Sequence, residues 1–246
     1  MLKKIVLPFV ALALCSFSMS SFANDNNTTT RQNLTFRDAK VHMVKIFKEL
    51  DDAKTLYCGC DIIFKGRGYM PDLESCGYKI RKNEKRARRI EAEHIMPAWE
   101  FGHDMTCWKN SKRQGCSTDD QTFQLIESDL HNLYPAIGEV NADRSNYKYT
   151  ETLRGSGYGK CQMVIDRRRQ RALPPERSRG IVARAYLYMS EKYGVALDRE
   201  HINLFNQWNN KYNVDKNECL RNKLITKVQG NDNHFVTEKC KKKHLD

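Results

Sequence analysis

The sequence predicts a single α+β domain, mostly helical with short strands. Three observations predict it. Apolar residues recur at helical spacing after Phe36 and again after Pro175, Cys58 to Arg89 holds only short apolar patches between glycines and a proline, and no Pro/Gly/Ser-rich linker or repeat divides the 246 residues.

Lys3 and Lys4 precede an apolar run from Ile5 through Cys15, and Ser21-Phe22-Ala23 offers small residues where a signal peptidase reads. Residues 1–23 are therefore expected to be a secretory signal cleaved after Ala23, with residues 24–246 forming the domain. The apolar run is too short for a permanent anchor, and no later stretch approaches about 18 uninterrupted apolar residues, so no membrane span is expected. A lipoprotein reading of Cys15 is the weaker one, because Cys15 sits inside the apolar core of the run and leaves a competing cleavage site downstream.

Asn24 to Asn33 is polar and is expected to be loose. Phe36 to Leu56 carries Val41, Val44, Ile46, Phe47 and Leu50 close to helical spacing and predicts a first helix. Ile62-Ile63-Phe64 and Tyr78-Lys79-Ile80, set apart by Gly66, Gly68, Pro71 and Gly77, predict short strands and turns. Another strand ends at Glu93-His94, before a break at Pro97. Ser117-Thr118-Asp119-Asp120 supplies an N-cap for a helix through Phe123, Leu125, Ile126 and Leu130, and Asn141 follows in a turn or the start of a helix. Pro174-Pro175-Glu176 opens a helix ending near Gly194, and a further helix begins around Leu197-Asp198 with Ile202, Phe205 and Trp208. Aromatic residues at helical spacing in these last two helices are assigned to the core, with no chemistry.

Without the signal, Cys58, Cys60, Cys76, Cys107, Cys116, Cys161, Cys219 and Cys240 remain. An even number in an oxidising compartment predicts four disulfides. Cys58 and Cys60 are too close to bridge each other comfortably, and Cys107 with Cys116 is the local pairing predicted. No Cys-x-x-Cys or Cys/His spacing suits zinc.

Forty-two Lys and Arg oppose 30 Asp and Glu, a net charge of +12 that loss of Lys3 and Lys4 lowers by two. Such an excess suits a polyanionic partner. Lys79, Arg81, Lys82, Lys85, Arg86, Arg88 and Arg89 lead straight into Glu93-His94, and Arg167, Arg168, Arg169 and Arg171 form a second cluster. One such run alone is usually a solvated face, but a run that abuts a candidate site points to phosphate attraction.

Glu93-His94, followed by Asp129-Leu130-His131-Asn132-Leu133-Tyr134-Pro135 and Asn141-Ala142-Asp143-Arg144, supplies a carboxylate, an imidazole and a carboxamide. Those are the parts of a magnesium-assisted attack on a phosphodiester. Mg²⁺ takes oxygen ligands and is usually held by one or two protein groups, which Glu93 and Asn141 can supply, while a neutral imidazole can take a proton from water, which suits His94. Neighbours in a strand face opposite sides, so separate roles as ligand and base are favoured over joint ligation. The zinc-protease patterns are excluded by spacing: His-Glu-x-x-His is absent, and the inverted pattern would need a histidine where Ile90 stands.

The runs Glu93-His94-Ile95-Met96-Pro97-Ala98-Trp99, Asp129 to Pro135, Gly138-Glu139-Val140-Asn141-Ala142-Asp143-Arg144-Ser145-Asn146 and Val228-Gln229-Gly230-Asn231, with the eight cysteines, closely resemble the endonuclease I family of bacterial periplasmic and secreted nucleases. The resemblance covers essentially the whole mature chain. It implies a ββα-metal nuclease motif, one Mg²⁺ per site, and cleavage of DNA and RNA with little sequence preference; contact through the phosphate backbone and a monomer are expected, and departure of the 3′-oxygen would leave 5′-phosphate ends. By position it implies Glu93 and Asn141 as metal ligands, His94 as general base, Arg113 as a catalytic phosphate-contacting arginine, and Glu127 as an acid beside the metal-bound water. Arg89 is a further expected substrate contact. Arg144 is left between touching phosphate and pairing with an acid, and His131 and Asn132 are expected to be buried hydrogen-bonders. The family's Asn-x-Asn-Pro reads Asn231-Asp232-Asn233-His234 here, which bears only on a local turn. The competing expectation is a non-catalytic secreted binder of DNA or acidic polysaccharide, which explains the charge but not Glu93, His94 and Asn141.

Overall fold

The computed structural model describes residues 34–66 and 68–245. The expected signal and the polar segment up to Asn33 lie outside them. The first helix, α1 (Phe36–Lys48), starts with a capping box in which Thr35 and Asp38 satisfy each other's backbone, and buries Ala39, Met43, Ile46 and Phe47. It is shorter than the sequence predicts. Beyond Glu49 the chain turns, and Leu50 and Leu56 are buried from irregular backbone.

An antiparallel hairpin follows, β1 (Ile62–Lys65) with β2 (Gly68–Pro71). The predicted strand at Tyr78-Lys79-Ile80 is reduced to an isolated bridge between Tyr78 and Gly159, and the short helix α2 (Glu84–Ala87) precedes β3 (Ile90–His94). Three helices stand between β3 and its partner: α3 (Ala98–Gly102), α4 (Thr106–Asp119) and α5 (Gln121–Glu127). Asp120 caps α5, which stops at Ser128, so Leu130 lies in a separate 3-10 turn, Leu130–Asn132.

Then β4 (Leu133–Ile137) pairs antiparallel with β3, Glu93 opposite Tyr134 and His94 opposite Leu133, and α6 (Gly138–Arg144) begins at once. Two antiparallel strands followed by a helix packed on both make the ββα unit that the resemblance implies. A small sheet follows, in which β7 (Arg171–Leu173) lies between β5 (Lys148–Tyr149), parallel, and β6 (Val164–Asp166), antiparallel.

The chain ends in four helices: α7 (Glu176–Tyr193), α8 (Arg199–Lys211), α9 (Lys216–Gln229) and α10 (His234–Lys242). Gly194 closes α7 in the left-handed conformation, at φ +66°, that glycine adopts without a Cβ clash. The main core joins α7 and α8, through Tyr186, Phe205 and Trp208, to Ile95, Met96, Phe123 and Val140 behind the ββα unit. A second cluster packs α1 on β4 and α9.

The disulfides are Cys58–Cys161, Cys60–Cys76, Cys107–Cys116 and Cys219–Cys240. Cys107–Cys116 is the pair predicted from the sequence. Among the described residues no helix is long and apolar enough to cross a membrane.

Candidate active site

A cleft of about 520 Å³ opens where β3, α6 and the α3–α4 segment meet, and Glu91, Glu93, His94, Trp99, Arg113 and Asn141 are among its walls. Glu91 and Glu93 reach it because alternate strand residues share a face. His94 reaches it from the end of β3, where the backbone bends at Ile95 and Met96. Thus the strand's alternation does not keep Glu93 and His94 apart.

His94 is 7% exposed, between the rings of Phe36 and Phe101. Its Nε2 lies 2.8 Å from the backbone carbonyl oxygen of Glu127. A carbonyl oxygen only accepts, so Nε2 carries the proton and Nδ1 keeps its lone pair. Burial, with Arg113 adding repulsion, lowers the imidazole pKa to about 3. The ring is therefore neutral, as a proton acceptor must be.

Glu93 is 2% exposed. Tyr57 donates its hydroxyl to Oε1 at 2.5 Å and Arg144 donates Nη1 to the same oxygen at 3.0 Å. Oε2 accepts no hydrogen bond among the described residues. Burial raises the carboxyl pKa to about 7, against the opposing pull of Arg144 and Tyr57. Asn141 donates Nδ2 to Glu91 at 2.9 Å, which leaves Oδ1 as a free acceptor. Glu91 is itself gripped by Arg86 and Arg89.

These positions bear on two further expected roles. Arg144 is 1% exposed, with its guanidinium committed to Glu93, to the carbonyls of His94 and Ile95, and to the face of Tyr149 at 4.5 Å. Of the two readings left open for it, the structure shows the acid pair, and the residue also contributes to the cleft wall. Glu127 is 2% exposed and turned from the cleft: one oxygen accepts from Arg113 Nε at 2.7 Å, the other from Ser117 at 2.8 Å. It anchors Arg113 and is not part of the cleft wall. Arg89 pairs with Glu91 and stands outside the cleft wall, whereas Arg86 is part of that wall.

Arg113 is placed by a break in α4, where Lys112 adopts φ 56° and ψ −163°. Its guanidinium lies 5.3 Å from the centre of the Phe36 ring, and Cys107–Cys116 ties the two ends of the broken helix. Asn132, fully buried, accepts from Met96 N at 2.7 Å and donates to Met96 O at 3.0 Å, clamping the chain just past His94. His131 meets the carbonyl of Asn231, and Gln229 bridges Leu130 N and Asp129. The C-terminal motif thus braces the second one across about a hundred residues of sequence. Asn233 caps α10, so the altered Asn231-to-His234 turn is still closed.

Glu91 in the cleft wall and Tyr57 behind Glu93 were given no role of their own by sequence reasoning, and Arg86 was named only within its basic cluster. Glu91 carried a usable signal, two residues before Glu93 on one strand face. Tyr57 carried none, since only the fold brings it to Glu93.

Among the described residues no three acidic, histidine or cysteine side chains gather as a metal cage. Mg²⁺ needs none, because waters and substrate oxygens commonly complete its shell. A buried carboxylate with one oxygen unengaged, and a carboxamide oxygen on the same cleft, are the hard donors that fit it.

A ββα unit that brings an acid, an imidazole and a carboxamide to a cleft walled also by Arg86 and Arg113 is the arrangement expected from the sequence resemblance. Comparison with known proteins agrees. The Endonuclease I family matches residues 35–240. The chain is 48% identical over 208 residues to a periplasmic deoxyribonuclease of Aeromonas hydrophila, covering 84% of this chain and 86% of the other. It is 45% identical over 242 residues to an Endonuclease-1 of Buchnera aphidicola subsp. Baizongia pistaciae, covering 97% and 96%. An extracellular deoxyribonuclease of Aeromonas hydrophila is 47% identical over 209 residues, 84% of this chain and 90% of the other. The chain belongs to the Endonuclease I family.

Proposed function

We propose that this protein is a Mg²⁺-dependent endonuclease that hydrolyses phosphodiesters of DNA and RNA with little sequence preference, acting as a monomer in the periplasm or outside the cell. The relatives named as periplasmic and extracellular deoxyribonucleases support the substrate class and the compartment. The observation that carries the chemistry is the His94 tautomer: Nε2 is spent on the Glu127 carbonyl, so Nδ1 is the free base of a cleft that also holds Glu93 and Asn141.

His94 takes a proton from the attacking water, and the phosphate brought beside it favours the imidazolium that results. Glu93 and Asn141 would hold Mg²⁺, which would supply Lewis-acid stabilisation of charge on the phosphate oxygens. Arg113, fixed at Nε by Glu127, offers its terminal nitrogens to the same phosphate. Tyr57 and Arg144 keep the Glu93 carboxylate oriented. Attack at phosphorus breaks the bond to the 3′-oxygen, which takes its proton from solvent water while His94 returns its own to solvent, so the phosphate stays on the downstream 5′ end.

A non-catalytic binder of polyanions would need the basic surface alone, not an imidazole locked in one tautomer. Supercoiled plasmid and ribosomal RNA incubated with the oxidised protein separate the two. Nicking and degradation with Mg²⁺, abolished by EDTA, with ends that accept label only after phosphatase treatment, support the proposal. Retention of intact plasmid under both conditions sinks it.

A further inference from the structure

Val41, Met70, Ile80, Trp99 and Ile202 are the large hydrophobic side chains exposed among the described residues, and Trp99 is the one aromatic ring in that set. It is 43% exposed and stands in the cleft wall, five residues beyond His94 on α3. An indole left this open at a polar cleft forgoes the burial that its size would otherwise give it.

Its orientation is built. The His103 ring stacks on it, centroids 3.9 Å apart and planes 8° from parallel, and His103 Nδ1 lies 2.8 Å from the Trp99 carbonyl oxygen. Stacking on one face leaves the opposite face as the open one. Trp108, the other indole in the wall, is half-buried against Phe123 and belongs to the core. A partly exposed ring in the same cleft wall as cationic Arg113 and Arg86 matches the pairing of stacking platform and basic groove that holds single strands without sequence preference.

Building on the nuclease reading above, we propose that Trp99 stacks on an unpaired nucleobase next to the scissile phosphate, so the cleft grips single strands and frayed ends more tightly than closed duplex. Bases inside a closed duplex keep their faces occupied by their neighbours and cannot reach the ring. Stacking needs no particular base, which fits cleavage without sequence preference.

The test compares KM and kcat on a single-stranded oligodeoxynucleotide, on the same sequence as duplex, and on a single strand of abasic residues, for wild type, Trp99→Ala and Trp99→Phe. Trp99→Ala is expected to raise KM on the single strand about ten-fold, the scale of one base–aromatic contact, and less than about two-fold on duplex, with Phe restoring most of the loss. The dependence of KM on salt should keep its slope, since no phosphate contact is removed. Wild type should itself show a raised KM on the abasic strand, an arm that stands even if Trp99→Ala fails to fold. Equal losses on all three substrates, or wild-type KM indifferent to missing bases, would overturn the stacking proposal. Absence of cleavage by wild type on every substrate would overturn the nuclease reading instead.

Discussion

At the scale of single residues, the site works by what each polar group has already spent. His94 has used Nε2, Glu93 has used Oε1, Asn141 has used Nδ2 and Arg113 has used Nε, and what remains of each is the part that faces the cleft chemically. Arg113 and Glu127 therefore form one unit. Arg113→Ala and Glu127→Gln should each slow cleavage, and the double variant should be little slower than Arg113→Ala; losses that multiply independently in a double-mutant cycle would refute the anchoring role. His131 carries a pH prediction. Burial lowers its pKa to about 4, from about 6.5 in the unfolded chain. As pH falls the unfolded chain takes up the proton first, so stability that is complete above about pH 6.5 is lost between there and about pH 4, on the order of 3 kcal/mol. His131→Gln should flatten the melting-midpoint profile across that window, and parallel profiles for variant and wild type would count against it. Glu93, His94 and Asn141 could be picked out of the sequence as candidates because their chemistry is rare in combination, and the fold brings all three to one cleft. Arg144 and Glu127 were not legible in role, because a charged residue in a basic sequence reads as surface, and its burial depends on partners 51 and 14 positions away.

The elements differ in how plainly the sequence announces them. Helices α7 and α8 show an apolar stripe with a proline or aspartate at the start, and they form where predicted. By contrast, α4 buries only Cys116 within its polar run, so nothing periodic marks it or its break at Lys112, which lies between the two half-cystines of Cys107–Cys116. The two-residue β5 exists only by lying against β7. What makes the site an element-scale object is the junction of β4 with α6. A Cβ at Gly138 would stand 2.7 Å from the Arg86 carbonyl oxygen and 2.8 Å from Glu91 Oε1, so glycine there lets the basic segment and β3 close on the helix that carries Asn141. Gly138→Ala should cost about 1 to 3 kcal/mol of stability and displace Asn141 relative to Glu91. Weaker Mg²⁺ activation together with a lowered melting midpoint is the expected signature, and a variant with wild-type values of both would contradict the packing argument.

Across the whole molecule, four cross-links and a basic surface set the conditions under which the site operates. Cys58–Cys161 ties the segment carrying Tyr57 to the turn that precedes β6, and Cys219–Cys240 pins α9 to α10, where helical patterning alone is faint. The count of disulfides was readable from eight cysteines, but three of the pairings were not, since they join residues that only the tertiary fold makes neighbours. The surface charge predicts that binding weakens steeply with salt, with a slope of log affinity on log salt of about −0.9 for each phosphate neutralised on duplex DNA. A flat response at subsaturating substrate would show that phosphate contacts do not dominate. The central claim, that His94 is the base while Glu93 and Asn141 hold the ion, is tested most directly by initial rates of plasmid cleavage over a Mg²⁺ titration for wild type, His94→Ala and Asn141→Ala. His94→Ala should lose roughly 10² to 10⁴-fold in rate at every Mg²⁺ concentration with an unchanged Mg²⁺ midpoint, whereas Asn141→Ala should need more Mg²⁺ and recover as it is supplied. If His94→Ala instead shifts the Mg²⁺ midpoint as far as Asn141→Ala does and regains its turnover at saturating metal, His94 is a ligand and the account is wrong.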